Sequence, residues 1–330
     1  MEAWGLDGPC FDDLRPGQVL EAGPDVTIGA GECAVYQGIC GDPLAIALSA
    51  PLAQRVTGVA GAVVNPALVL HMSIGQSTVA TRRGIANLFY RGVSLRRVVR
   101  VGETLSTAVE VRGMRETSRK PDRPRRGMVL IGIRTTGDDG RVIAAYERCA
   151  LLPFRDDGHP NAYADELGPA ATPLDLASWD ALAPTGWDLA PLGPPDAWAV
   201  GERRADPLRD TVTGATLLVR LTQNLAGLHR DPARGQRGRR LVYGGHTIGL
   251  AQASLARLLP SLATVVGWQS CDHVGPVFEE DVLSVSAQLD ATRAVPGGRL
   301  LAFTVIVESE ADGRDGAVPV LDWKPIVYAP

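Results

Sequence analysis

Cysteine is scarce and poorly spaced for a structural role. The five residues Cys10, Cys33, Cys40, Cys149 and Cys271 contain no C-x-x-C pair and are odd in number. That excludes a disulfide framework and argues against a zinc site, and it points to a reducing, cytoplasmic setting. No apolar run reaches the ~18 residues that a membrane helix needs. The opening Met1-Glu2-Ala3-Trp4-Gly5 lacks the basic flank of a signal peptide. Positive charge is not in excess: the net charge is −4, so nucleic acid is not an expected partner. Lysine is nearly missing, with only Lys120 and Lys324 among 33 basic residues, a bias from which no partner follows. Gly58-Val-Ala-Gly61 has no strand–Gly-x-Gly-x-x-Gly–helix setting, which excludes a dinucleotide site there.

What remains is a globular composition, with 45% hydrophobic and 21% charged residues, too apolar for a disordered chain. A length of 330 residues predicts two domains. An internal repeat supports this. A Glu-containing turn leads into an alternating strand at Arg100–Val111, and again at Val277–Leu289. Upstream of each lies an apolar stretch of helical length, Val64–Gly75 and Val242–Ala253, the second stopping before Pro260. Being apolar nearly all round, such helices are buried on most faces. Strand-like sequence follows in both halves, at Met128–Ile133, Val142–Tyr146, Leu300–Val307 and Leu321–Tyr328. One buried helix with several antiparallel strands predicts an α+β unit in which a sheet wraps a helix. The Pro-, Ala-, Gly- and Asp-rich stretch 156–195 reads as a linker pinned by Trp179 and Trp187, giving an N-terminal unit 1–155 and a C-terminal unit 196–330.

Chemistry concentrates in the second half, in Leu221-Thr-Gln-Asn-Leu-Ala-Gly-Leu-His229 and Arg239-Arg-Leu-Val-Tyr-Gly-Gly-His246. A polar residue, four residues, His, and then a Gly-started buried helix resemble the hydratase 2 motif of MaoC-like (R)-specific enoyl-CoA hydratases. In the family pattern Gly-Asp-x-Asn-Pro-x-His, Asn224 takes the Asp position and His229 the His position. Together with Phe11-Asp-Asp-Leu-Arg-Pro-Gly-Gln18 and Gly75-Gln-Ser-Thr78, these segments resemble the double-hotdog subgroup typified by mesaconyl-CoA hydratase (β-methylmalyl-CoA dehydratase) and the mycobacterial two-hotdog hydratases. The resemblance implies two tandem hotdog units and reversible hydration of an enoyl-CoA, on an acyl chain that is branched or dicarboxylic in the mesaconyl type. CoA arrives with the substrate, and neither metal nor redox cofactor is implied. Two double hotdogs would pair as a homodimer.

The residues support that chemistry in their own right. Hydrating an α,β-unsaturated thioester needs a base for water and donors for the enolate oxygen. His229 is a base available near neutrality. Asn224 can hold the water but cannot take its proton. The first N–H groups of the helix starting at Gly244 point outward with the positive end of the helix dipole behind them, and glycine lets a thioester approach. Tyr243, Gly245 and His246 are candidates to line the substrate pocket, and Arg239 and Arg240 to meet the CoA phosphates.

In the first half the helix begins Asn65-Pro66-Ala67, and Pro66 has no N–H. Gly41-Asp42 keeps the family Asp, but Ala47 stands where a His is needed, so the first half is expected to be non-catalytic. His71 reads as a core histidine and His159 as a solvated one; His273, before a strand, reads as the partner of a loop hydrogen bond ahead of a residue that approaches the substrate. The basic run Arg112–Arg126 reads as a solvated loop before it reads as a phosphate clamp. A second carboxylate on the substrate would call for an Arg in the pocket, with Arg91, Arg96 and Arg97 as candidates. Two alternatives stay open: a hotdog thioesterase using Asp42, and a non-catalytic acyl-CoA or acyl-carrier binding protein.

Overall fold

The computed structural model describes residues 7–119, 123–156, 158, 160, 163–168, 173–310 and 316–330. Two helices occupy its centre. The helix α4 follows α1 (Ala30–Cys40), α2 (Ala45–Leu48) and α3 (Ala50–Thr57), and spans Pro66–Gln76 with all eleven residues buried. In the second half α5 (Ala215–Leu221) precedes α6 (Gly244–Leu258), which is buried from Gly245 to Ala256 and ends just before Pro260. Helices with no polar face are stable only inside a shell, and here the shell is one sheet.

Each central helix is followed by four long strands. These are β3 (Ala86–Leu95), β4 (Thr104–Glu116), β5 (Arg126–Gly137) and β6 (Val142–Pro153) after α4, and β9 (Thr264–His273), β10 (Val282–Val295), β11 (Gly298–Glu310) and β12 (Val318–Ala329) after α6. Short strands border them: β1 (Val19–Leu20) and β2 (Val26–Thr27) pair with β4, and β7 (Arg203–Ala205) and β8 (Asp210–Thr211) pair with β10. The long strands run in the order β4-β5-β6-β3-β9-β12-β11-β10, so each half repeats one topology. Strand β10 alternates buried and half-buried residues over most of its length, as a strand with one face on the core must.

The halves are fused through the antiparallel pairing of β3 with β9, which sets Tyr90 opposite Cys271 and Val93 opposite Trp268. A single hydrophobic core runs through both, from Leu68 and Leu70 of α4 to Ile248 and Leu255 of α6. The double hotdog expected from the sequence is the fold observed. The linker tryptophans are anchored. Trp179 packs so close to Gly267 that a β-carbon there would lie 2.6 Å from its ring, and Trp187 meets Tyr328 edge-on at 6.1 Å. Residues 181–187 cover a cavity of about 290 Å³ at the start of α4.

The described part of the basic run lies at the facing ends of β4 and β5, and several of its arginines are ion-paired. Arg125 pairs with Glu116 at 2.9 Å and stacks 3.9 Å over Phe154, while Arg112 pairs with Glu110 and Arg115 with Glu166. Residues 120–122 of that run, and His159, lie outside the described residues. No described helix is long and apolar enough to cross a membrane.

Candidate active site at the start of the second central helix

After α5 the chain makes a tight reversal. Thr222 caps back onto Leu218 through its hydroxyl, 2.8 Å, and Gln223 takes a left-handed φ of 53°. Asn224 then forms an Asx turn, its Oδ1 accepting the Ala226 N–H at 2.9 Å. Its main-chain carbonyl is held by Arg230 through Nε (2.9 Å) and Nη2 (2.7 Å). A short 3-10 turn, Gly227–His229, delivers the imidazole.

His229 Nδ1 lies 2.8 Å from the Leu241 carbonyl. A carbonyl only accepts, so Nδ1 carries the hydrogen and the neutral ring keeps its lone pair on Nε2. Burial, only partly offset by that hydrogen bond and assisted by nearby Arg230, brings the His229 pKa down to about 4. The imidazole is therefore an unprotonated acceptor at neutral pH. Asn224 Oδ1 is engaged by Ala226, and the amide NH2 remains as a donor.

Both residues line a cavity of about 260 Å³, which Tyr243, Gly244, Thr247 and His273 also line. Tyr243 is the N-cap of α6 but contributes no side-chain cap. The N–H groups of Gly244 and Gly245 thus stand at a helix start with no carbonyl a turn earlier to receive them. The other half is closed at the same place. Pro66 has no N–H, and the N–H of Ala67 is taken by Asn65 Oδ1 at 2.9 Å.

The half-repeat extends to the turn before the helix. Asp42 Oδ1 accepts the Leu44 N–H at 2.9 Å, as Asn224 does with Ala226, and the helical stretch that follows places Ala47 where the second half has His229. Asp42 is fully buried, and its Oδ2 receives Asn65 Nδ2 (2.8 Å) and Gln252 Nε2 (2.6 Å). Burial raises its pKa, against those hydrogen bonds and Arg257.

Several of the expected site residues do not occupy the expected places. His246 is fully buried and does not line the cavity. Two positions along a helix is about 200° of rotation, which turns His246 away from the face that Gly244 and Thr247 present. It lies near His71 of α4, and the electrostatic influence of His246, after burial, helps hold His71 at a pKa of about 3. Gly245 does not line the cavity either, and its missing side chain makes room for the Tyr243 ring, 2.5 Å from where a β-carbon would be.

Gly244 does line the cavity, but the group that needs its bareness is protein: a β-carbon would stand 2.3 Å from His273 Cε1. Arg239 is exposed, stacked 4.6 Å over Phe278 and donating to the Glu279 carbonyl at 2.8 Å. Neither it nor half-buried Arg240 lines the cavity, although Gln236 and Leu241 on either side do. Arg91 pairs with Asp272 at 2.7 Å and Arg97 with Glu103 at 2.6 Å; these two and Arg96 lie outside the cavity wall.

Sequence reasoning ranked one functional candidate, His273, too low and missed another, Arg148. His273 makes no loop hydrogen bond through Nε2, which is buried without a partner among the described residues. The residue ends β9 against Gly244, its pKa held to about 4 by burial first and by His229 second. Arg148, from β6, lines the cavity from the first half. The Tyr243 hydroxyl is likewise buried and has no partner among the described residues, and burial raises its pKa, keeping it a neutral phenol.

No family model matches the sequence. The β-methylmalyl-CoA dehydratase of Chloroflexus aurantiacus is 30% identical over 100% of this chain and 99% of its own length. The chain belongs to the MaoC-like, double-hotdog family of acyl-CoA hydratases and dehydratases. The mesaconyl-CoA hydratase of Cereibacter sphaeroides is 30% identical over 91% of this chain and 89% of its own. Among solved structures, a conserved hypothetical protein of Mycobacterium tuberculosis with a double hotdog fold superposes with a TM-score of 0.88 at 39% identity, covering 98% and 99% of the two chains. A putative MaoC-domain dehydratase of Chloroflexus aurantiacus gives 0.83 at 26%, covering 99% of each. Membership makes this protein a hydro-lyase of CoA thioesters.

Proposed function

We propose that this hydratase/dehydratase works through a single site, in its second half, and adds water reversibly across the 2,3 double bond of a short enoyl-CoA. The observation that carries the reading is the unsealed start of α6 at Gly244 in the same cavity as the free Nε2 of His229. Water gives a proton to His229 Nε2 as its oxygen bonds to C3. The electrons of the double bond move to C2 and the thioester oxygen, which the Gly244 N–H stabilises with the helix dipole behind it. The imidazolium returns the proton to C2, and the imidazole is regenerated. Asn224 orients water or the new hydroxyl through its amide NH2. The proton count closes on one imidazole, so the step calls for neither metal nor redox cofactor, and CoA belongs to the substrate. Arg239 and Arg240 meet the CoA phosphates outside the cavity. A cytoplasmic setting and a homodimer of double hotdogs belong to the same proposal.

Supplying 2-enoyl-CoA thioesters of graded length and following the loss of conjugated-thioester absorbance tests the reading, and no loss with any of them would reject it. Because the base acts deprotonated and its pKa is depressed, the acid limb of kcat/KM should fall near pH 4 rather than near 6.5. A pH–rate profile bending at 6.5 would contradict the assignment.

The first half is read as a silent wall. Ala47→His restores an imidazole there but not the N–H that Pro66 lacks, so it should leave the number of active sites per chain at one. A doubled turnover would overturn this. Thioester hydrolysis gains no support, since the buried carboxylate of Asp42 is enclosed by Leu44, Asn65 and Gln252.

A further inference from the structure

We infer that Arg148 is the specificity-determining residue of the cavity, receiving a carboxylate on the acyl chain; the inference rests on the hydratase reading above. Arg148 stands on β6 and is buried, with 3% of its surface exposed. Arginine is rarely buried to that degree unless an anion accompanies it. Among the described residues its acceptors are all neutral. Nε donates to Ser77 Oγ at 3.1 Å, Nη2 to the Ser77 carbonyl at 3.1 Å and to Thr81 Oγ1 at 2.9 Å, and Nη1 to Asn87 Oδ1 at 3.3 Å. Among the described residues no Asp or Glu lies within 4.0 Å of the guanidinium. Nη1 carries two hydrogens and has a single long contact for them.

Arg148, Thr81 and Asn87 all line the cavity that holds His229 and Gly244. The positive charge acts on Tyr243, the residue before Gly244, and on Tyr90. A forked, fixed cation with neutral partners in the wall of a partly open cavity matches a planar anion. Neutral acceptors hold the guanidinium in place without discharging it, which is what a recognition site requires and a structural ion pair does not. The other arginines once eligible, Arg91 and Arg97, already have carboxylates. A cavity of about 260 Å³ also suits a short acyl group carrying such an anion better than a long neutral tail.

The experiment compares fumaryl-CoA with crotonyl-CoA, in which a methyl group replaces the carboxylate. Wild type should favour fumaryl-CoA in kcat/KM by about 10²-fold, and Arg148→Met should bring that ratio to within a few-fold of one. The ratio, unlike either rate, is not moved by a general loosening of the cavity. Arg148→Lys keeps the charge and loses the fork, so an intermediate ratio is expected, and it serves if the Met variant does not fold. A wild-type ratio of one or less, or an unchanged ratio in both variants, would overturn the assignment. If wild type turned over neither thioester, the hydratase reading would fail. The Kd ratio of succinyl-CoA to butyryl-CoA, in wild type and Arg148→Lys, would then judge the arginine separately: preference for succinyl-CoA that the variant weakens upholds it, and equal binding refutes it.

Discussion

His229→Ala is expected to lower kcat by about 10²–10⁴-fold, the usual contribution of a positioned general base. The expectation follows from the tautomer. The Leu241 carbonyl, 2.8 Å from Nδ1, fixes the hydrogen on that nitrogen and leaves Nε2 to accept a proton. Asn224 is an amide, and the nearby imidazole of His273 is packed against Gly244 with Nε2 buried. The ground-state complex should change little, because the acyl group is gripped elsewhere along the cavity, and the loss should fall on kcat rather than KM. Steady-state hydration rates for wild type and variant check this. A rate within a few-fold of wild type would remove His229 from the chemistry while leaving the fold argument intact.

Gly75→Ala should be the most damaging single methyl group at the site. A β-carbon at position 75 would lie 1.7 Å from the Thr222 carbonyl oxygen, inside any permissible contact. Neither side can yield cheaply. Gly75 is inside the fully buried α4, and Thr222 is itself fully buried and tied to Leu218 through both its amide and its hydroxyl. Overpacking of this kind costs about 3 kcal/mol, to be read from the shift in the urea midpoint at constant slope. The same clash displaces the segment from Thr222 to His229, so whatever folds should also lose turnover. An unchanged midpoint would mean that the two backbones can separate without cost, contrary to their packing.

How much of this was visible in the sequence depends on how local each feature is. The two buried helices and their strands were legible because burial on most faces and alternation are written within short windows, and because the halves repeat each other. His229 and Asn224 were singled out by the family motif they resemble, and Gly244 and Pro66 by the chemistry of a helix start; the structure brings His229, Asn224 and Gly244 to one cavity. His246 was misplaced by reading along the chain rather than around the helix, where two residues amount to more than half a turn. His273 was read first as a loop hydrogen-bond partner because it precedes a strand, ahead of a residue that approaches the substrate. Its place in the cavity depends on the β9–β12 register that sets it opposite Leu321, and on Gly244 being bare. Arg148 had no signal at all. It meets the second-half residues only because β3 joins β6 to β9, a pairing across some 180 residues that no local pattern encodes.

The β3–β9 seam has an evolutionary consequence. On the proposed mechanism the bond-making groups come from the later copy of the hotdog, while Tyr90, Arg148 and Thr78 line the same chamber from the earlier one. An earlier copy with no part in that proton transfer is free to vary the side chains that face the ligand's tail. Substrate choice can therefore drift, or be redesigned, by editing one module without disturbing the proton-transfer apparatus of the other.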